Sequence, residues 1–211
     1  MTCILTMPDF IYLASQSPRR SQLLEQLGVR HQLLLPLPED CAFEEDAEAL
    51  EAALPGEAPL RYVQRVTALK LDAAVARLAR RGLPPAPVLC ADTTVALGRR
   101  ILGKPLDAQD AVQMLNALAG RTHRVLTAVA LQAGVQRQAA VCISQVTFAA
   151  MNATQIRAYA ASGEPMGKAG AYAIQGLAAA HVKRISGSHS GIMGLPLYET
   201  ALLLRTAGVA V

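Results

Sequence analysis

Two periods of hydrophobic and polar positions alternate along this chain. Residues 10–14 form an apolar run short enough for a strand, 31–35 a second, and 88–97, Val-Leu-Cys-Ala-Asp-Thr-Thr-Val-Ala-Leu, a third that reads as buried. Residues 122–132 and 137–149 flank a turn at Gly134, and the second of them alternates in period two as a half-buried antiparallel strand should. A last strand is expected near 178–185. Between these lie helical spacings: Leu23, Leu24 and Leu27; then Leu60, Val63, Val66, Leu69 and Ala73 in a helix from Pro59 to about Arg81; then Val112, Leu115 and Leu118. A short helix through Ala161 and a closing one over 195–205 complete the set. Punctuation agrees with the periods. Ser17, Asp107 and Asn152 stand where N-caps belong, Pro18 at a first helical position, and Gly28, Gly120 and Gly163 just past helix ends. Strands alternating with helices and no recurring period predict an α/β chain with a mixed central sheet, one domain over residues 1–211 cleft into two lobes.

Composition narrows the picture. With 211 residues, 52% of them apolar, the chain has material for a core. No apolar run approaches the ~20 residues that span a bilayer, and residues 1–10 lack a basic leader, so a soluble cytoplasmic protein with no membrane partner is expected. Cys3, Cys41, Cys90 and Cys142 show no C-x-x-C pair, which suggests neither a disulfide framework nor a zinc knuckle. The net charge of +4 conceals an asymmetry: residues 31–60 hold eight of the sixteen acidic residues and no Lys or Arg. The remainder, strongly basic, suits a polyanionic ligand. Nucleic acid is disfavoured as that ligand, because aromatic residues make up only 4% and none is interleaved with a basic cluster.

Certain polar residues break the patterns. At residues 14–20, Ala-Ser-Gln-Ser-Pro-Arg-Arg, strand passes through a tight turn into helix, and the helix opens on Arg19 and Arg20 where its dipole favours acids. Either both arginines point into water, or they join backbone N–H groups and the hydroxyls of Ser15 and Ser17 in a phosphate cradle. Lys70 falls within about 20° of Val63 on its helix, so its ammonium either snorkels out or enters a polar cavity. Asp92 stands inside the apolar run 88–97, where an ionised carboxylate costs several kcal/mol unless something compensates it. Glu39 and Asp40 follow the second strand, and the acidic, alanine-rich residues 41–58 read as a short surface helix or a mobile loop, the least ordered part of the chain. Gly103-Lys104-Pro105 closes a hairpin. Residues 164–176 have too many glycines for a regular element at their start and look like a ligand loop feeding a strand, with Lys168 and Gln175 as polar heads. His189 lies in a hydroxyl-rich turn, and the other histidines share no metal-ligand spacing.

Ser15 to Arg20, Lys70, Ala91-Asp92-Thr93, residues 102–105, residues 164–176 and, more weakly, Gly194-Leu195-Pro196 together resemble the Maf family of nucleotide pyrophosphatases. The resemblance implies an elongated two-lobed fold akin to inosine triphosphatases with a central cleft, a homodimer, and hydrolysis of nucleoside triphosphates to monophosphate and pyrophosphate with a divalent cation, Mg²⁺ or Mn²⁺. It implies Asp92 as proton acceptor, with Lys70 also catalytic; Arg19 and Arg20 clamping the phosphates; Lys70, Lys104 and Lys168 neutralising the triphosphate; and Asp92 with Glu39 on the metal. The form Ala-Tyr-x-Ile-Gln-Gly is similar to the branch acting on dTTP and UTP, in which Arg20, Thr93 and Gln175 match positions assigned to substrate choice. Gln175 can both donate to and accept from a pyrimidine's O4 and N3–H edge. The alternatives are the branch acting on 7-methyl-GTP and a non-enzymatic regulator binding nucleotides through the same groups. Two departures stand out: Gly167 where the family usually has Asp before the lysine, and Cys90-Ala91 before Asp92 where a Gly is usual.

Overall fold

The computed structural model describes residues 9–42 and 47–211. One seven-stranded mixed sheet runs through it: β1 (Ile11–Leu13), β2 (His31–Leu33), β3 (Val88–Leu97), β4 (Arg100–Leu102), β5 (Thr122–Ala133), β6 (Gln136–Phe148) and β7 (Val182–Ser186). Their spatial order is β2-β1-β3-β5-β6-β7, with β4 also on β3. β1 pairs parallel to both β2 and β3; every other pairing is antiparallel. The helices are α1 (Pro18–Gln26), α2 (Ala47–Leu50), α3 (Pro59–Arg80), α4 (Ala108–Leu118), α5 (Ala153–Ala161), α6 (His189–Met193) and α7 (Leu197–Thr206).

Alternation along β3 sorts the helices onto two faces. Val88 and Cys90 point to α3, where Leu71 and Ala74 join them, and farther along Ala96 meets Val63 and Val66 of the same helix. Val63, Val66 and Leu71 are fully buried, each contributing about 1.5–3 kcal/mol relative to exposure. Leu89 and Ala91 point the other way, onto Leu23 and Leu24 of α1 and Leu203 and Leu204 of α7. Val95, also on this face, belongs to a separate cluster with Leu115 of α4 and Ile156 of α5. Two apolar clusters therefore cover the two ends of one face, and residues 92–94 lie between them.

Caps formed largely as the sequence predicts. Asp107 accepts from Asp110 N, and Asn152 and Gln155 form a reciprocal capping box. Ser17 holds the N-cap position of α1 without a side-chain cap bond. Two expected strands differ. Residues 169–171 form a 3₁₀ turn with Gly170 and Ala171 both at positive φ, 68° and 59°, which bends the chain instead of extending it toward Gln175. There Gly170 N donates to Gly103 O, and a Cβ would stand 2.8 Å from Val95. Residues 177–181 are a second 3₁₀ turn because the amides of Leu177 and Ala178 donate to the Glu164 carboxylate, so β7 begins only at Val182. Of residues 41–58, expected to be poorly ordered, 43–46 lie outside the described residues; the rest holds α2 and a loop bonded to α3. No helix among the described residues is long and apolar enough to cross a membrane.

Candidate active site

β3 changes partners along one edge. Val88 and Leu89 pair with β1, and Val95 to Leu97 pair with β4, so the intervening residues oppose neither strand. The gap opens where parallel β1 ends and the chain turns into α1, the kind of place where α/β sheets put their sites. Asp92 and Thr93 occupy it, and as neighbours on a strand they face opposite sides.

Asp92 faces α3. Its Oδ1 accepts from Lys70 Nζ at 2.6 Å, and the same ammonium reaches Glu51 Oε1 at 2.7 Å. Glu51 Oε2 in turn accepts from Lys104 Nζ at 2.6 Å. The result is a row of alternating charge, Asp92, Lys70, Glu51, Lys104. Burial alone would lower the Lys70 pKa, but Asp92 and Glu51 outweigh it and hold the ammonium above its ordinary range. Glu51 is the mirror image: burial opposes its charge, and Lys70 and Lys104 prevail, lowering its pKa. Lys70 thus enters a polar cavity and does not snorkel, and the charge buried at Asp92 is compensated. Cys90, two residues before Asp92 on the same face, has its thiol pushed up to about 12 by burial, which leaves it unreactive.

Thr93 faces α1. Arg20 is held at three points: Nε to Gly194 O at 2.7 Å, Nη1 to Ser15 Oγ at 3.0 Å and Nη2 to Thr93 Oγ1 at 3.4 Å. Arg19 Nε donates to Met193 O at 3.3 Å, and Ser17 N donates to Ser15 Oγ at 3.2 Å. Beneath lies Thr127, 1% exposed and directly opposite Thr93 on β5. Thr127 Oγ1 donates to Gly191 O at 2.7 Å and stands 3.0 Å from Thr93 Oγ1. A hydroxyl has one proton, so Thr93 is the donor in that second bond. With its proton committed and one lone pair taken by Arg20, Thr93 offers the cleft only an acceptor.

The loop after α5 closes the arrangement. Glu164 organises it, accepting from Tyr159 Oη at 2.7 Å and Leu177 N at 2.9 Å. Lys168 Nζ donates to Met166 O at 3.2 Å, and its pKa is lowered by burial and then by repulsion from Arg19. Gly167 has φ 69°, a backbone conformation that favours glycine. Gln175 is exposed in the turn before residues 177–181.

The structure joins Lys70, Asp92 and Lys104 through Glu51 on the α3 side of the gap in the β3 pairing, and Ser15, Ser17, Arg20 and Thr93 on its α1 side, with Arg19 on the Met193 carbonyl and Lys168 in the loop after α5. Glu39 lies elsewhere. It is exposed beside Asp40, whose carboxylate is bound by Arg80 and Arg81 at the end of α3, about 15 Å along the helix from Lys70. Those arginines, Arg80 first, hold Asp40 well below the usual carboxylate range. Glu51 is the acid that stands with Lys70 and Asp92. Its sequence carried a usable signal, a lone acid in Ala-Leu-Glu-Ala-Ala-Leu, the anomaly that marks Asp92. The carbonyls of Met193 and Gly194 carried none. A groove of about 430 Å³ on the α3 face, lined by Leu60, Leu71, Ala130, Arg137, Val141 and Ile143, is largely apolar and offers no carboxylate for such chemistry.

Comparison with known proteins bears on what this cleft serves. A family model for Maf-like proteins matches residues 10–207. A protein of Albidiferax ferrireducens named dTTP/UTP pyrophosphatase is 66% identical over 205 residues, 97% of this chain and 100% of that one. One of the same name from Cupriavidus metallidurans is 62% identical over 203 residues, 96% of this chain and 99% of that one. Among solved structures, the Staphylococcus aureus Ham1 protein aligns with a TM-score of 0.38 and 11% identity over 65% of this chain and 71% of its own, too distantly to inform the site.

Proposed function

The chain belongs to the family of Maf-like proteins, and from that membership we propose that it is a nucleoside triphosphate pyrophosphatase hydrolysing dTTP and UTP to the monophosphate and pyrophosphate. The row Asp92, Lys70, Glu51, Lys104 is the observation that carries the reading. It offers a carboxylate to a water and cations to a polyphosphate within one cleft.

The cationic groups come from distant segments, so on this reading they grip different parts of the triphosphate. Arg19 and Lys168, both partly exposed, take the β and γ phosphates as the leaving group. Lys104 leaves Glu51 for the phosphates, and Lys70 stays with Asp92. Asp92 orients a water toward the α phosphorus and accepts its proton as the bond to the bridging oxygen breaks. Pyrophosphate leaves with its charge spread over the cations, and little covalent work falls to the protein. Thr93 and Gln175 face the base, Arg20 fixing Thr93 in place.

Asp92 and Glu51 are hard oxygen donors that reach the same ammonium, a donor set that fits a divalent cation such as Mg²⁺ or Mn²⁺. No group of three or more metal-ligating side chains occurs among the described residues, so Asp92 and Glu51 would hold the ion together with substrate oxygens. Such an ion, when bound, would draw charge from the phosphates. Glu51 takes the role here that the family resemblance suggested for Glu39.

The point of attack separates a pyrophosphatase from a phosphatase that uses the same groups. Hydrolysis of dTTP in isotopically labelled water should place the heavy oxygen on dTMP and release unlabelled pyrophosphate. Labelled orthophosphate with dTDP would show γ attack and sink this mechanism.

A further inference from the structure

Glu51 belongs to no regular element. It follows the four-residue helix α2, yet the carbonyls of Leu50, Glu51 and Ala52, three in succession, all accept from α3 side chains. Arg65 Nη1 reaches Leu50 O at 3.5 Å, Tyr62 Oη reaches Glu51 O at 2.8 Å and Arg65 Nη2 reaches Ala52 O at 2.8 Å. The rest of the Arg65 fork closes on Glu57, at 2.7 and 2.8 Å, and Glu57 Oε2 also accepts from Leu54 N at 3.2 Å. The Glu57 side chain is only 8% exposed, and the guanidinium lies 5.7 Å from the centre of the Tyr62 ring. Tyr62 and Arg65 are three residues apart on one helix, so they share a face and act on the loop together.

A carboxylate on an untethered loop must be ordered whenever it binds a cation, and that ordering weakens binding. Here α3 does the ordering in advance, and Lys70 on the same helix meets the carboxylate so placed. We infer that Tyr62 and Arg65 are positioning residues that hold Glu51 in register with Asp92 and thereby set the cation affinity of the pair. This rests on the reading of Asp92 and Glu51 as the cation site.

The test uses the full chain with Tyr62→Phe, which removes one hydroxyl and little else, Arg65→Met, and Glu51→Gln alongside. Mn²⁺ binding is followed by the paramagnetic signal of the free ion, and amide hydrogen exchange is followed over residues 49–57. Tyr62→Phe and Arg65→Met should each weaken Mn²⁺ binding about tenfold, the scale seen when groups behind a metal ligand are removed. Exchange should quicken in residues 49–57 and nowhere else, with kcat at saturating metal within about threefold of wild type. If Arg65→Met does not fold, Tyr62→Phe decides. Wild-type Mn²⁺ affinity in Glu51→Gln would overturn the cation-site reading. Weakened binding in Glu51→Gln with wild-type binding in the Tyr62 and Arg65 variants would overturn this inference alone.

Discussion

Thr127 gives its one proton to Gly191 O, and that fixes the polarity of Thr93 above it. An acceptor-only hydroxyl complements the N3–H of thymine and uracil and opposes cytosine, whose N3 is itself an acceptor. Thr127→Val keeps the shape and frees the Thr93 proton, so the preference for UTP over CTP in kcat/KM should fall about tenfold, with Thr127→Ser restoring it. An unchanged ratio in a folded Thr127→Val would show that Thr93 does not read the base in this way. At this scale the sequence announced Asp92, Lys70 and the Arg19-Arg20 pair, because each violates a local pattern that physics makes costly to violate. Thr127 violates nothing: a threonine in a strand is ordinary, and its role exists only across the β3–β5 pairing. Glu39 came from the family resemblance, whereas the acid that meets Lys70 is Glu51, marked only by its Ala and Leu neighbours.

Elements were legible where period and cap agreed. α3 and β3 lie within a residue of expectation because a long helical spacing and a ten-residue mostly apolar run leave few alternatives, although Leu60 and Leu69 of the expected apolar arc are exposed. The segment from 164 to 181 was not, since its course is set by the distant partners Val95 and Gly103 and by Glu164 at its own start. A further tie holds it to β5: His123 Nε2 and Tyr172 Oη are 2.8 Å apart, and His123 is 2% exposed. Burial lowers the His123 pKa from 6.5 to about 4. Between those values the unfolded chain binds a proton that the folded chain refuses, so stability falls as pH drops, by about 2 kcal/mol between pH 6.5 and about 5. Glu51 and Asp40, both depressed carboxylates, contribute stability that is lost only at lower pH, below their ordinary 4.5 and 3.8. Thermal melts over that upper window should therefore show a fall in Tm that His123→Gln abolishes. An equal fall in both proteins would place the titration elsewhere.

The whole molecule carries its excess positive charge outside residues 31–60. A triphosphate approaching the cleft meets Arg19 and Lys168, partly exposed, before it meets the shielded pair of Lys70 and Asp92. Added salt screens the first encounter far more than the second. KM for UTP should rise several-fold between roughly 0.05 and 0.5 M KCl while kcat changes little; a parallel fall in kcat would mean that the inner pair is open to solvent ions. The bonds from Arg19 to Met193 O and from Arg20 to Gly194 O span 174 residues each. During synthesis each arginine is made 174 residues before the carbonyl that aims it. A growing chain thus carries two cations suited to phosphate before it has the backbone that aims them, so turnover waits for α6 and α7 to fold back onto β1.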